Sequence, residues 1–291
     1  MAEQLLQYLI TGVTVGATYA LVGLGFAIIY NASQVVNFAQ GEFVMIGAMT
    51  AVWFLALGLP YPAALALAVA ATVAVGWLLA KLAIEPARRA SVVATIIITI
   101  GASIFLRGAA MLLWGKSIHA LPHFSSDTPI RLGSATLMPQ NVWVMAVTAG
   151  VVWLVSLFFR RTLTGKALLA CAANRTAAHL VGINVSLMLL VAYGLAALLG
   201  GIAGILIAPI AFTSYDAGIM LGLKGFAAAI LGGIGSPLGA VAGGVLLGVL
   251  ESLAAGFISS GYKDAVAFLV MLLVLFLRPG GLFGRAVAER V

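Results

Sequence analysis

The sequence predicts an all-α polytopic membrane protein, and three observations carry that prediction. Of its 291 residues, 63% are hydrophobic and only 8% charged, where a soluble domain carries about 25% charged residues. Three long runs, Phe43 to Ala80, Leu132 to Phe159 and Thr176 to Tyr215, contain no charged residue. A spanning helix needs about 20 apolar residues, so the first and last runs each hold two crossings, or one crossing and a re-entrant piece. The 34 glycines are patterned, with Gly12 and Gly16, Gly200 and Gly204, Gly239 and Gly243, and Gly244 and Gly248 each four apart. That spacing places small residues on one helix face and lets backbones approach closely.

The chain reads as a single transmembrane domain, 1–291, with apolar spans at 5–29, 42–58, 62–84, 92–113, 140–159, 185–209, 218–234, 238–257 and 264–278. "LPYP" (59–62) separates the second span from the third, and "GSPLG" (235–239) the seventh from the eighth. The span at 218–234 is short and Gly-rich, which leaves the crossing count at eight or nine. "MAEQLLQYLI" lacks the basic start and small-residue cleavage site of a removable signal peptide, so the first helix is expected to be retained.

Orientation follows from lysine and arginine in the short loops. Arg88 and Arg89, then Arg160, Arg161, Lys166 and Arg175, then Arg278, Arg285 and Arg290 mark three basic segments. The N-terminus, 59–62 and 210–217 carry no Lys or Arg. The expectation is a cytoplasmic 85–91, 160–184 and C-terminus, with the N-terminus and a loop at 114–139 outside. The basic excess reports these loops and membrane lipid rather than nucleic acid.

Two polar segments interrupt the apolar pattern. "NASQVVNFAQGEF" (31–43) holds Asn37, Gln40 and Glu42 between two uncharged runs. Non-helical backbone is tolerated at membrane depth only where protein or a water-filled cavity covers it. The amides of Asn37 and Gln40 can supply missing partners, Gly41 lets the chain turn, and Glu42 stands in the first turn of the next helix, where the dipole favours an anion. "APIAFTSYDAGIMLGLKGF" (208–226), with Ser214, Asp216 and Lys224, follows a helix stopped by Pro209 and precedes a short helix at about 223–234. The first break belongs to the cytoplasmic end and the second to the outer end, the arrangement of two inverted-topology repeats. Paired interrupted segments point to a translocation site. The competing account of 31–42 is an ordinary hydrated loop, and that of Glu42 and Lys224 is capping at the interface.

Other polar groups read more plainly. Arg107 is expected to snorkel outward, and Glu251 to pair inside the bundle. His119 and His123 read as solvated loop residues and Cys171 as a packing residue. No metal site, cofactor or covalent chemistry is expected, and no GxxxxGK[ST] nucleotide loop is present in these residues. The basic connection 160–184 is Ala-rich from Lys166 to Leu180, which predicts one helix there, preceded by Gly165 and ended by Gly182. Such a helix suits either a lipid surface or a soluble partner.

Several stretches together resemble a known family. They are Gly12, Gly16, Tyr19-Ala20-Leu21, Gly25, Ile29-Tyr30, Asn37-Phe38-Ala39-Gln40-Gly41-Glu42 and Gly47; then Pro86, Thr99-Ile100-Gly101 and Ser103; then Gly165, Ala170-Cys171-Ala172, Ala178 and Gly182-Ile183-Asn184. Lys224, Phe226, Leu231-Gly232-Gly233, Gly235-Ser236, Gly239, Gly243-Gly244, Gly248, Glu251 and "LRPGGLFG" (277–284) continue the match. Over essentially its whole length the chain resembles the LivH-type permeases, membrane subunits of ATP-binding cassette importers for branched-chain amino acids. It departs at Ala173, where relatives often carry an acid, and at Gly225, where Ala is common. The resemblance implies a second related permease, two cytoplasmic ATPase subunits and an extracytoplasmic binding protein as partners in the cell inner membrane. It also implies ATPase coupling through Lys166, Ala172, Arg175 and Gly182. The cargo alternatives are urea, short amides or small carboxylates. An ion-coupled secondary transporter and a purely structural anchor are the readings from other classes; the first lacks a clear intramembrane acid pair, and the second leaves the polar breaks without a reason.

Overall fold

A computed structural model of the chain describes residues 2–87, 90–126, 128–132 and 135–283. Arg88, Arg89, Arg285 and Arg290, used above for orientation, lie outside them. The helices in chain order are α1 (Ala2–Ser33), α2 (Gln40–Ala56), α3 (Tyr61–Leu79), α4 (Val92–Trp114), α5 (Pro139–Arg161), α6 (Leu163–Ala173), α7 (Arg175–Leu180), α8 (Val185–Ala211), α9 (Ala217–Gly232), α10 (Pro237–Phe257) and α11 (Lys263–Leu277). α3 runs on through one π-helical turn, Ala80–Ile84. The nine expected spans are α1 to α5 and α8 to α11. Seven are long and apolar enough to cross a membrane. α2 and α9, at 17 and 16 residues, reach only about 25 Å at 1.5 Å per residue, short of the roughly 30 Å hydrocarbon core.

Local chemistry sets the helix ends. Ser91, Thr162, Asn174, Asn184 and Ser236 each accept a hydrogen bond from a first-turn backbone N–H, satisfying donors that a helix start leaves open. Proline sits in the first turn of α3, α5 and α10, where its missing N–H costs nothing. Pro209 does not stop α8, which continues to Ala211 and ends at Phe212, in the left-handed region at φ 59°. The loop 114–139 contains a small antiparallel hairpin, β1 (Ile130–Leu132) and β2 (Ala135–Leu137), pairing Ile130 with Leu137. Thr136 N donates to Gln7 Oε1 at 2.8 Å, which ties this hairpin to the start of α1.

α1 and α8 form the buried centre of the bundle, and glycine governs how neighbours meet them. A methyl group on Gly244 would lie 2.4 Å from Ala20 N, and one on Gly248 2.4 Å from the Cα of Gly16. α1 and α10 therefore touch backbone to backbone. Gly204 meets Val44 O across the α2–α8 contact in the same way, and Gly243 meets Ala228 O between α10 and α9. The glycine pairs noted in the sequence are thus contact points between helices.

The far ends of the two breaks join different connecting segments. Arg175, in the 160–184 segment, donates to Ala32 O at the end of α1. The second break instead joins the 114–139 loop, where His119 and Thr213 exchange backbone hydrogen bonds of 2.8 and 2.9 Å. His119 is therefore a part-buried strand-pairing residue, not the solvated loop histidine expected.

Gly244→Val should cost about 1–3 kcal/mol or more through overpacking, because its added atoms meet backbone. Gly101→Val, at a site with nothing within 4 Å, should melt within a degree or two of the parent. Thermal denaturation in detergent measures both, and equal melting of the two variants would refute the packing argument.

Candidate functional site

The first break is buried in its second half, where Asn37, Gln40 and Glu42 are 1%, 0% and 2% exposed, while Gln34 at its start is exposed. The chain leaves α1 through Gln34, whose φ of 55° reverses its direction. Asn37 Oδ1 accepts from Ala39 N at 3.1 Å, and Phe38 N donates to Thr99 Oγ1 of α4 at 3.2 Å. Gln40 Nε2 donates to Ala196 O of α8 at 3.0 Å. Asn37 bonds the backbone of the turn, as its position in the sequence suggested, whereas Gln40 ties the start of α2 to α8. α2 itself has no side-chain cap; its acid is Glu42, in the first turn.

Glu42 meets α4. Ser103 Oγ donates to Glu42 Oε1 at 2.7 Å, and Arg107 Nε lies 3.3 Å from the same oxygen. Arg107 therefore does not snorkel outward. Ser103 and Arg107 are one turn apart and share a helix face, and that face is turned to the start of α2. Thr95 and Thr99 continue it, so α4 carries a polar stripe at 95, 99, 103 and 107. The sequence reading missed Ser103 and Arg107 as partners of Glu42, and the four-residue period was the available signal.

The second break brings its own polar residues beside the first. Ser214 Oγ donates to Asp216 Oδ1 at 2.6 Å, and Asp216 holds the N-cap position of α9 with no side-chain bond to the helix. α9 starts at Ala217, not near 223 as expected. Its first turns touch the start of α2: a methyl on Gly41 would lie 2.1 Å from Gly218 O and 2.9 Å from Gly222 Cα. Two helix N-termini, both electropositive ends, thus meet near Glu42. Beside them is a cavity of about 170 Å³, bordered by Phe26, Phe38, Glu42, Ser103, Arg107 and Phe226.

Lys224 is placed elsewhere. It lies mid-helix in α9, and its Nζ is 2.7 Å from Glu251 Oε1 and 2.7 Å from Asp264 Oδ1. Tyr19 donates to Glu251 Oε2 at 2.9 Å, and its ring lies beneath Lys224 Nζ at 5.4 Å. This network ties α1, α9, α10 and α11 together. Glu251 pairs inside the bundle as expected, and Lys224 does not border the cavity.

The segment 160–184 forms two helices where one was expected. Asn174 is extended at φ −159° and ψ 108°, and its side chain accepts from Ala177 N. An asparagine that bonds its own neighbouring backbone competes with the helix, and here it divides α6 from α7. Lys166 is exposed, Gly182 ends α7 at φ +88°, and Ala172 borders a cleft of about 840 Å³ with Asn31, Gly235 and Pro279. Arg175 is half-buried, and burial holds its guanidinium below the usual arginine range; burial likewise pushes the thiol of Cys171, a packing residue, up. Leu163, Leu180 and Val181 remain exposed on this segment.

A multi-crossing bundle with two interrupted segments and a buried charged site at their junction is the architecture of an all-α polytopic membrane protein. The family described as "Branched-chain amino acid transport system / permease component" matches residues 8–275. The chain is 34% identical over 311 residues to the high-affinity branched-chain amino acid transport system permease protein LivH of Salmonella typhimurium, covering 100% of both. It is 35% identical over 300 residues to the corresponding BraD of Pseudomonas aeruginosa, covering 98% of each. It is also similar to the autoinducer 2 import system permease protein LsrC of an Enterobacter species, 32% identical over 62% of this chain and 54% of that protein. The chain belongs to the branched-chain amino acid permease family.

Breaking a buried ion pair costs about 3–5 kcal/mol. Lys224→Met alone should destabilise the purified chain by that order, because it strands Glu251. Adding Glu251→Gln should recover most of the loss. Denaturation of the single and double variants checks this, and additive losses would refute the pairing.

Proposed function

We propose that this chain is the membrane-spanning permease subunit of an ATP-binding cassette importer, and that it carries branched-chain amino acids across the cell inner membrane. Similarity over the full length to the LivH and BraD permeases supports the reading most directly. The power source is a partner, since these residues hold no P-loop. The assembly consists of this chain, a second related permease, two cytoplasmic ATPase subunits and an extracytoplasmic binding protein. The N-terminus lies outside and the C-terminus in the cytoplasm, by the distribution of Lys and Arg.

The route runs past the junction of the two breaks. Asn37 and Gln40 hold its inner side, Glu42 borders it, and Ser214 and Asp216 stand at the outer break. Lys224 serves from behind, fixing α9 in place through α10 and α11. ATPase docking falls on α6 and α7, with Lys166 and Ala172 toward the partner, Gly182 closing the segment, and Arg175 linking it to the last carbonyls of α1. A push on α7 then reaches the first break directly.

Uptake in proteoliposomes should require the permease pair, both ATPase subunits, the binding protein and ATP. Uptake by the purified chain on a proton or sodium gradient would overturn the reading, and uptake of urea or a short amide in place of leucine would redirect its cargo. Ala172→Asp buries a charge at the ATPase contact and should weaken assembly at least tenfold while the chain stays folded. Arg175→Ala should leave ATPase binding within about twofold but lower the substrate moved per ATP severalfold. Unchanged coupling in Arg175→Ala would remove that residue from the linkage.

A further inference from the structure

The cavity at the junction of α2, α4 and α9 is bordered by a charged pair whose bonds are incompletely made. Glu42 is 2% exposed, yet its Oε2 has no hydrogen-bond partner. Arg107 keeps 28% of its side chain exposed, and its nearest approach to Glu42, through Nε, lacks hydrogen-bond geometry. A charged pair at membrane depth is costly, and a fold normally offsets that cost by closing every bond. The Lys224 network, which begins one residue beyond the cavity-lining Leu223, gathers two anions, a second lysine and a tyrosine hydroxyl around one ammonium group. Here an acceptor and a set of donors are left over, side by side.

The remaining walls are apolar. The Phe226 ring lies 5.6 Å from that of Phe26 and 5.7 Å from that of Phe38, so three rings from α1, the first break and α9 make one surface. Ile100 and Leu223, 42% and 40% exposed, stand at the open side. Gly218 and Gly222 complete the wall without side chains, and Gly218 packs beside Glu42 Oε2, where an added methyl would lie 2.9 Å from that oxygen.

We propose that this cavity is a transient binding site for a zwitterionic α-amino acid with an apolar side chain. The ammonium group takes the carboxylate of Glu42, the carboxylate takes the guanidinium of Arg107, and the aliphatic side chain lies on Phe26, Phe38 and Phe226. Ser103 is a positioning residue: its bond to Oε1 fixes the Glu42 carboxylate at the cavity wall. The volume of about 170 Å³ is below the roughly 300–1,000 Å³ of pockets for drug-sized ligands, which suits a single small amino acid. This proposal rests on the importer reading above and adds to it a cargo-reading site within the permease.

The test uses the complete complex carrying Leu223→Cys, without the binding protein, and follows its modification by a methanethiosulfonate reagent. L-leucine at millimolar concentration should slow labelling at least fivefold. 4-Methylpentanoate, which lacks the ammonium group, and 3-methylbutylamine, which lacks the carboxylate, should each slow it less than twofold. In Glu42→Gln or Arg107→Gln backgrounds the unprotected rate should stay within twofold and the protection by leucine should vanish; Arg107→Lys should retain part of it. No protection by leucine, equal protection by either analogue, or protection that survives both neutral variants would overturn the site. If a neutral variant fails to assemble, the analogue series on Leu223→Cys alone decides. ATP-driven leucine uptake by the wild-type complex separates the two readings: uptake without protection refutes this site and leaves the importer standing, whereas absence of uptake refutes the importer.

Discussion

A peptide group inside hydrocarbon needs a hydrogen-bond partner, and this structure is organised around one place where a helix does not provide it. Between Ser33 and Gln40 the backbone turns inside the bundle, beside the middle of α8. Its N–H groups find acceptors in Asn37 Oδ1 and in Thr99 Oγ1 on α4, and Gln40 Nε2 ties the start of α2 to Ala196 O on α8. That last reach is open because Gly25 clears it: a methyl there would lie 2.2 Å from Gln40 Nε2. An unmade buried hydrogen bond costs about 1–3 kcal/mol, so the amides, the glycine and the close approach of α1, α2 and α8 stand or fall together.

The two charged sites show what such a constraint leaves free. The Lys224 network is balanced by Glu251, Asp264 and Lys263 and joins four helices, so it serves cohesion. The Glu42–Arg107 pair joins two helices and leaves capacity unused. Both look alike in sequence, as an ionisable residue next to an apolar run. What distinguishes a strut from a site open to a ligand is the cavity that Glu42 and Arg107 border and the Lys224 network does not.

Much of this was legible in the sequence, because charge-free runs and glycine spacing are local signals that tertiary structure does not override. All nine apolar helices, the position of the first break and the pairing of Glu251 could be read from residue type alone. The start of α9 could not: nothing between Asp216 and Lys224 marks it, and the helix begins as soon as the chain leaves the strand-like contact of Thr213 with His119. The division of α6 from α7 turned on one asparagine that caps rather than continues. Arg107 was misplaced because its distance from the helix end suggested snorkelling, while its register with Thr95, Thr99 and Ser103 pointed inward. Register along one face was the better guide to where that charge goes.

That register also bears on assembly. Arg107 is partly exposed on a helix whose other exposed residues include Ile97, Ile100, Ile104 and Phe105. An arginine at the centre of a spanning helix costs about 2.5–3.5 kcal/mol even on the most lenient scale, and lipid offers its donors nothing. The face of α4 and α9 that carries the cavity is therefore a poor surface to present to acyl chains and a good one to cover with protein. A second permease on this face would enclose the cavity and supply its missing wall. In the proposed assembly, selectivity in such a site would belong to the pair of chains.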